Sequence, residues 1–237
     1  MKPLTVVLAQ VNPLVGDIKG NTSRVVALYQ KVAANTDVLV FPELVLTGYP
    51  PEDLLLRPSL VMRIEKALEH CCSATQNREL VMVIGYPAWR DGALYNCAGV
   101  FGSGKLQAEY RKQYLPNYQV FDERRYFSAG TSACIFDLKG IPVALTICED
   151  IWYPQPMQQA KEAGAQLMIN INASPYHIGK QQEREILIAT RAREGSMPVI
   201  YVNPVGGQDE LVFDGGSMVM DAKGNLLARA PAFQRLP

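Results

Sequence analysis

Apolar runs without polar alternation recur along the chain at residues 6–11, 37–41, 80–85, 141–147, 166–171 and 198–203. Uninterrupted runs of this length predict strands covered on both faces. Between them lie segments with apolar positions at helical spacing. Val25, Val26, Leu28, Tyr29, Val32 and Ala33 predict a helix capped by Asn21 and Thr22, and further helices are predicted over 59–76, 155–163 and 180–194. Turn chemistry at Gly102-Ser103-Gly104 joins strands 94–101 and 105–110 into a hairpin, and Lys139-Gly140 does the same for 134–138 and 141–147. Strands at 211–213, 217–220 and 226–230 complete the pattern, with Gly206-Gly207 and Gly215-Gly216 read as hairpin turns and the last residues as irregular. Helices alternating with strands, with hairpins mixed in, predict an α/β fold with a mixed sheet or two sheets clad by helices.

The 237 residues are 48% hydrophobic, enough to bury a substantial core, and no linker or low-complexity stretch interrupts the pattern, so residues 1–237 read as one domain. Lys and Arg total 23 and Asp and Glu total 23, which leaves no basic stripe for nucleic acid and favours a small neutral substrate. The first ten residues are too short an apolar stretch for a signal peptide, and no segment approaches membrane-spanning length. Five cysteines at irregular spacing predict reduced thiols and a cytoplasmic protein. Two histidines, His70 and His177, are too few for most zinc sites, and adjacent Cys71 and Cys72 lack ligand spacing, so no metal site is expected.

The candidate chemistry lies where apolar strands stop at reactive groups. Cys148 ends the 141–147 run and is followed by Glu149 and Asp150. A thiol titrating near ~8.5 needs a base to become a nucleophile. Neither histidine carries a motif, whereas Glu43 follows the buried 37–41 strand, where a desolvated carboxylate can serve. Lys112 leaves the hairpin at a strand end and can supply a fixed positive charge. Each has an ordinary structural reading too: a buried cysteine, a capping carboxylate and a solvated lysine.

Local sequence resolves the choice. Phe41-Pro42-Glu43-Leu44 with Thr47-Gly48-Tyr49-Pro50, Tyr110-Arg111-Lys112 with Leu115-Pro116-Asn117, and Ile147-Cys148-Glu149-Asp150-Ile151-Trp152 resemble the Glu, Lys and Cys segments of the nitrilase superfamily, in the family's order. The stretches 48–55, 115–127 and 172–180 are similar to the glutaminase domain of bacterial glutamine-dependent NAD synthetases. The resemblance implies a four-layer α-β-β-α sandwich with two mixed sheets. It implies Glu43 as general base, Cys148 as the nucleophile that forms a γ-glutamyl thioester, and Lys112 with the Glu149 backbone N–H as oxyanion donors. It places Tyr118, Ser174 and Lys180 on the α-amino and α-carboxylate groups of glutamine, with Glu123 and Tyr49 in support.

Family members of this branch carry a second domain that uses ATP and Mg to adenylate nicotinic acid adenine dinucleotide and receives the ammonia. This chain shows no Ser-Gly-Gly-x-Asp-Ser stretch or other phosphate loop, so the resemblance implies that the synthetase domain is missing here and that no cofactor is needed by the residues present. Pairing of subunits through helices near the nucleophile strand is expected from the same resemblance. Two rival readings stand beside this one: a free-standing nitrilase-like amidase or ω-amidase acting on another small amide, and a catalytically silent domain lacking its partner.

Overall fold

A computed structural model describes residues 3–236. Met1, Lys2 and Pro237, part of the readings of the two chain ends, lie outside the described residues. The elements in order are β1 (Val6–Leu8), α1 (Ile18–Lys31), β2 (Val38–Val40), α2 (Pro58–Ala74), β3 (Val81–Arg90), β4 (Ala93–Gly102), β5 (Lys105–Arg111), β6 (Ile135–Leu138), β7 (Ile141–Ile147), α3 (Pro154–Glu162), β8 (Leu167–Ile171), α4 (Lys180–Gly195), β9 (Val199–Val202), β10 (Val205–Gln208), β11 (Leu211–Asp214), β12 (Met218–Met220) and β13 (Leu226–Arg229).

Two mixed sheets organise the molecule, one in the order β1-β2-β3-β4-β5 and the other β13-β12-β9-β8-β7-β6. Between them Val38, Val40, Val83, Ala98 and Val100 of the first sheet meet Val143, Leu145, Ile147, Ile169, Ile171 and Val202 of the second. The outer face of the first sheet, through Leu39, Met82, Ile84 and Phe101, packs under Val25, Tyr29, Ile64 and Ala67 of α1 and α2. The outer face of the second, through Ala144, Met168 and Tyr201, packs under Met157, Ala160, Ile188 and Ala192 of α3 and α4. This is the α-β-β-α sandwich expected, and it explains the missing alternation: each central strand is apolar on both faces because both faces are covered.

Several local readings change. Asp17, not Asn21 or Thr22, caps α1, its carboxylate accepting from the Gly20 N–H. Asn21 instead lies inside the helix, where its side chain holds the backbone of Leu14 and Leu46. Strand β3 runs past Gly85 to Arg90. Gly206 and Gly207 lie within β10, which pairs antiparallel with β11, so they are strand rather than turn. Gly215 and Gly216 carry the chain from that ribbon into the second sheet and join no hairpin. The tail is not loose either: Gln10 donates its amide to the Pro231 and Gln234 carbonyls, and the Leu236 N–H donates to the Gln10 carbonyl.

Candidate active site

Sheet topology brings the three reactive groups to one rim. β2 is parallel to β3, and β3-β4-β5 is antiparallel throughout, so β2 and β5 run the same way and end at the same edge. Glu43 follows β2 and Lys112 follows β5 at that edge. Cys148 follows β7 in the facing sheet, beside the parallel strands β8 and β9. Strand ends are rigid supports, and carboxyl ends of parallel strands are where ligands commonly bind.

Glu43 ties the two sheets together. Its backbone N–H donates to the Asn172 carbonyl after β8, at 3.1 Å. Its Oε1 accepts from Lys112 Nζ and from Asn96 Nδ2, each at 2.7 Å, and its Oε2 accepts from the Ala173 N–H at 2.9 Å. The loop reaches this position because Gly85 of β3 has no side chain; a Cβ there would fall 2.4 Å from the Leu44 nitrogen and 2.7 Å from the Glu43 Cα.

Lys112 is fully buried and donates also to Glu123 Oε1 at 2.8 Å, an oxygen that accepts from the Tyr49 hydroxyl at 2.9 Å. One ammonium therefore faces two carboxylates. Burial alone would lower the Lys112 pKa, but Glu123, Glu43 and Cys148 together raise it well above the ordinary lysine value, so it stays charged. Burial pushes the Glu123 carboxyl up to about 7, with Lys112 acting against that.

Cys148 opens a short 3-10 turn, Cys148–Trp152, with φ of +44°, left-handed backbone that a non-glycine residue adopts at a cost of about 1–3 kcal/mol. The chain turns sharply at Cys148, and 7% of its surface stays accessible. Burial and then the Glu43 charge push the thiol well above its ordinary pKa, while Lys112 acts the other way. The resting group is a thiol, and a base must take its proton. The Glu149 N–H is among the first donors of the turn, which a helix leaves without an internal acceptor.

Tyr118 contacts the Glu149 carboxylate, and the charge of Lys180 is felt there. The Tyr118 hydroxyl lies 3.1 Å from each Glu149 carboxylate oxygen. Lys180 sits 4.1 Å over the Trp152 ring, pairs with Glu183 at 3.3 Å, and its charge helps keep the Glu149 carboxyl from rising further than burial drives it. Ser174 is buried, its hydroxyl accepting from Arg184 Nε at 3.2 Å and its carbonyl accepting from Arg184 and Asn203. Tyr118 and Glu149 line a cleft of about 490 Å³ together with Tyr114, Tyr153 and Arg124. A second cavity, of about 340 Å³ and bounded by Arg24, Phe41 and Arg235, includes neither Cys148 nor any of these groups.

Sequence reasoning missed Asn96, the Ala173 N–H, the Glu149 side chain and Asp150. Asn96 had left a signal, a polar residue within an otherwise apolar strand, which is paired or costly. The five cysteines are free, and among the described residues no group of His, Cys, Asp or Glu could hold a metal ion. Nor is any described helix long and apolar enough to cross a membrane.

The chain is 43% identical over 232 residues to the glutamine-dependent NAD(+) synthetase of Aquifex aeolicus, covering 98% of this chain and 41% of that one. Among solved structures, the glutamine-dependent NAD+ synthetase of Acinetobacter baumannii superposes with a TM-score of 0.94 at 38% identity, over 99% of this chain and 44% of that one. A nitrilase-superfamily amidase from Nesterenkonia shares the fold, with a TM-score of 0.85 at 23% identity over 98% of this chain and 87% of that one. The chain thus spans about two fifths of the length of the synthetases it matches. The model of the carbon-nitrogen hydrolase family matches residues 5–236, and the chain belongs to that family.

Proposed function

We propose that the chain hydrolyses the side-chain amide of glutamine and forms the glutaminase part of a glutamine-dependent NAD synthetase, releasing ammonia for amidation of nicotinic acid adenine dinucleotide. The observation that carries this reading is the buried Lys112 ammonium, held by Glu43 and Glu123 beside a thiol at the opposite sheet edge. The similarity to glutamine-dependent synthetases across nearly the whole chain supports glutamine as the substrate.

Glu43 Oε2 holds one N–H donor against two on Oε1, so Oε2 has the lone pair free for the thiol proton. As Cys148 Sγ bonds to the amide carbon, its proton passes to Glu43. The oxyanion is met by Lys112 Nζ and the Glu149 N–H. Glu43 returns the proton to nitrogen, the C–N bond breaks, and ammonia departs from a γ-glutamyl thioester. Water then attacks the thioester, giving a proton to Glu43, which passes it to the departing sulfur as glutamate is released.

Glu149, with Tyr118, faces the α-ammonium of glutamine, and Lys180 and Ser174 face its α-carboxylate. In this reading ATP and Mg would serve the synthetase portion and not the residues present here. Among the described residues the paired glycines form no phosphate cradle: Gly206 and Gly207 lie in a strand, and Gly215 and Gly216 are packed against Gln10 and Gln181. Homo-oligomer formation through the helices near β7 belongs to the same reading and is tested by light scattering in solution.

The deciding experiment measures ammonia release from glutamine, asparagine and simple primary amides, for the wild-type chain and for Cys148→Ala. Release from glutamine that Cys148→Ala abolishes supports the reading. Preference for a simple amide would make the chain an amidase of other specificity, and no release from any amide would make it inert alone.

A further inference from the structure

Asp150 is fully buried two residues beyond the nucleophile, yet the chemistry above does not use it. Its carboxylate accepts four hydrogen bonds. Oδ2 takes the Ile147 N–H at 2.9 Å and the Tyr110 hydroxyl at 2.8 Å. Oδ1 takes the Gln113 N–H at 3.1 Å and the Tyr114 N–H at 2.8 Å. These donors belong to two segments. Ile147 is the residue before Cys148, whereas Gln113 and Tyr114 are the two residues after Lys112, and Tyr110 lies two before it.

A carboxylate at the third position of a helical turn that reaches back to the N-cap N–H fixes the entry of the chain into that turn. Here that entry is the left-handed Cys148 backbone. Backbone N–H donors are directional and cannot rotate away as side chains do, so three of them on one carboxylate fix both segments against each other. Burial pushes the Asp150 carboxyl up to about 6, with the Ile147 and Tyr114 N–H groups acting against that, and at neutral pH the group is still mostly in the acceptor-only ionised form these donors need.

The geometry points to Asp150 as a positioning residue that clamps the β5 end to the β7 end and so sets where Lys112 stands relative to the Cys148 sulfur. It touches neither substrate nor reacting atom. The inference rests on the glutaminase reading for its kinetic arm only.

The test compares the wild-type chain with Asp150→Asn and Tyr110→Phe, reading glutamine kcat and KM, the rate of Cys148 alkylation by iodoacetamide followed by peptide mass, and the melting temperature. In Asp150→Asn one acceptor oxygen becomes an NH2 group that must face either the Ile147 N–H or the Gln113 and Tyr114 pair. The expected result is kcat lower by ~10–100-fold with KM within about threefold, and a Cys148 alkylation rate altered at least ~5-fold while that of partly exposed Cys134 is unchanged. Tyr110→Phe removes one donor and leaves the backbone clamp, so a loss in kcat of ~2–10-fold is expected. A folded Asp150→Asn protein with kcat and alkylation within twofold of wild type overturns the inference, as does a loss confined to KM. Should Asp150→Asn not fold, Tyr110→Phe decides, and an unchanged kcat and alkylation rate there overturns it. If the wild-type chain releases no ammonia from glutamine, the glutaminase reading fails, and the alkylation rates still decide the role of Asp150.

Discussion

The Lys112 ammonium lies 2.7 Å from Glu43 Oε1 with neither side chain exposed to solvent. With Glu123 on the same ammonium, the cluster holds more negative than positive charge when both carboxylates are ionised. Removing the lysine leaves two carboxylates uncompensated in the interior. Lys112→Met is therefore expected to lower the unfolding free energy by about 3–5 kcal/mol, as breaking a buried ion pair does. Urea unfolding at pH 7 and at pH 5 checks this. The loss is smaller at the lower pH, where Glu123 takes up a proton, and an equal loss at both would count against the charge cluster.

Glu43→Gln keeps the shape of the side chain and removes the proposed base. Its amide oxygen can hold Lys112 and Asn96, but the amide nitrogen then faces the Ala173 N–H, two donors together. Turnover of glutamine is expected to fall by ~10²–10⁴-fold with the thiol still present for slow alkylation. Retained kcat would show that another group takes the thiol proton.

Much of this site was legible only in part. The strand ends at Glu43 and Cys148 follow from apolar runs that stop abruptly, and the two covered sheets account for those runs lacking alternation. Lys112 is different: set between Arg111 and Gln113 it has the pattern of a solvated charge, yet it is fully buried, because its partners Glu43 and Glu123 arrive from distant loops. Its place at a strand end made it a candidate, and only the resemblance set that above the reading of a solvated lysine. Arg184 escaped notice for the same reason, since Ser174 and Asp214, which bury it, lie on other elements. Periodicity reports the faces of an element and is silent about which distant groups will meet it.

Glu123 couples the site to pH. Its carboxyl is raised from 4.5 to about 7, so the folded state holds that proton more tightly than the unfolded chain. A raised carboxyl contributes stability that is full below the unfolded value and is lost as pH rises through the folded one. Glu123→Gln cannot lose a proton. The stability of Glu123→Gln relative to wild type is expected to grow between pH 4.5 and about 7 and to level off above. At about 1.36 kcal/mol per pH unit the growth is at most about 3 kcal/mol. Chemical unfolding of both proteins at four pH values measures it, and a difference independent of pH would refute it.

Gly85 tests the support of Glu43 from behind. A methyl group there would press on the backbone of Pro42, Glu43 and Leu44, with contacts of 2.4–2.7 Å that must open. Gly85→Ala is expected to cost about 1–3 kcal/mol of stability through overpacking. Displacing the carboxylate by even ~1 Å should also cost ~10²-fold in kcat. Thermal melts with glutaminase assays on the same samples give both numbers. Full activity in a destabilised protein would mean the loop relaxes without moving Glu43.

Recognition of a free amino acid, as opposed to any amide, requires an anion for the α-ammonium. Glu149 is the buried carboxylate that reaches the cleft, oriented by the Tyr118 hydroxyl and opposed by the nearby Lys180 charge. In Glu149→Gln the backbone N–H proposed to meet the oxyanion is untouched, while the charge is lost. A hydrogen bond to a charged group is worth about 1.5–3 kcal/mol, which corresponds to a rise in the KM for glutamine of ~10–150-fold. Butyramide has the same reacting amide and no α-ammonium, so its slower hydrolysis should be unchanged by the substitution. Comparing kcat/KM for the two amides in both proteins makes the decision. If Glu149→Gln lowers both by the same factor, Glu149 acts on the chemistry or on the shape of the nucleophile turn, and the α-ammonium must be held elsewhere.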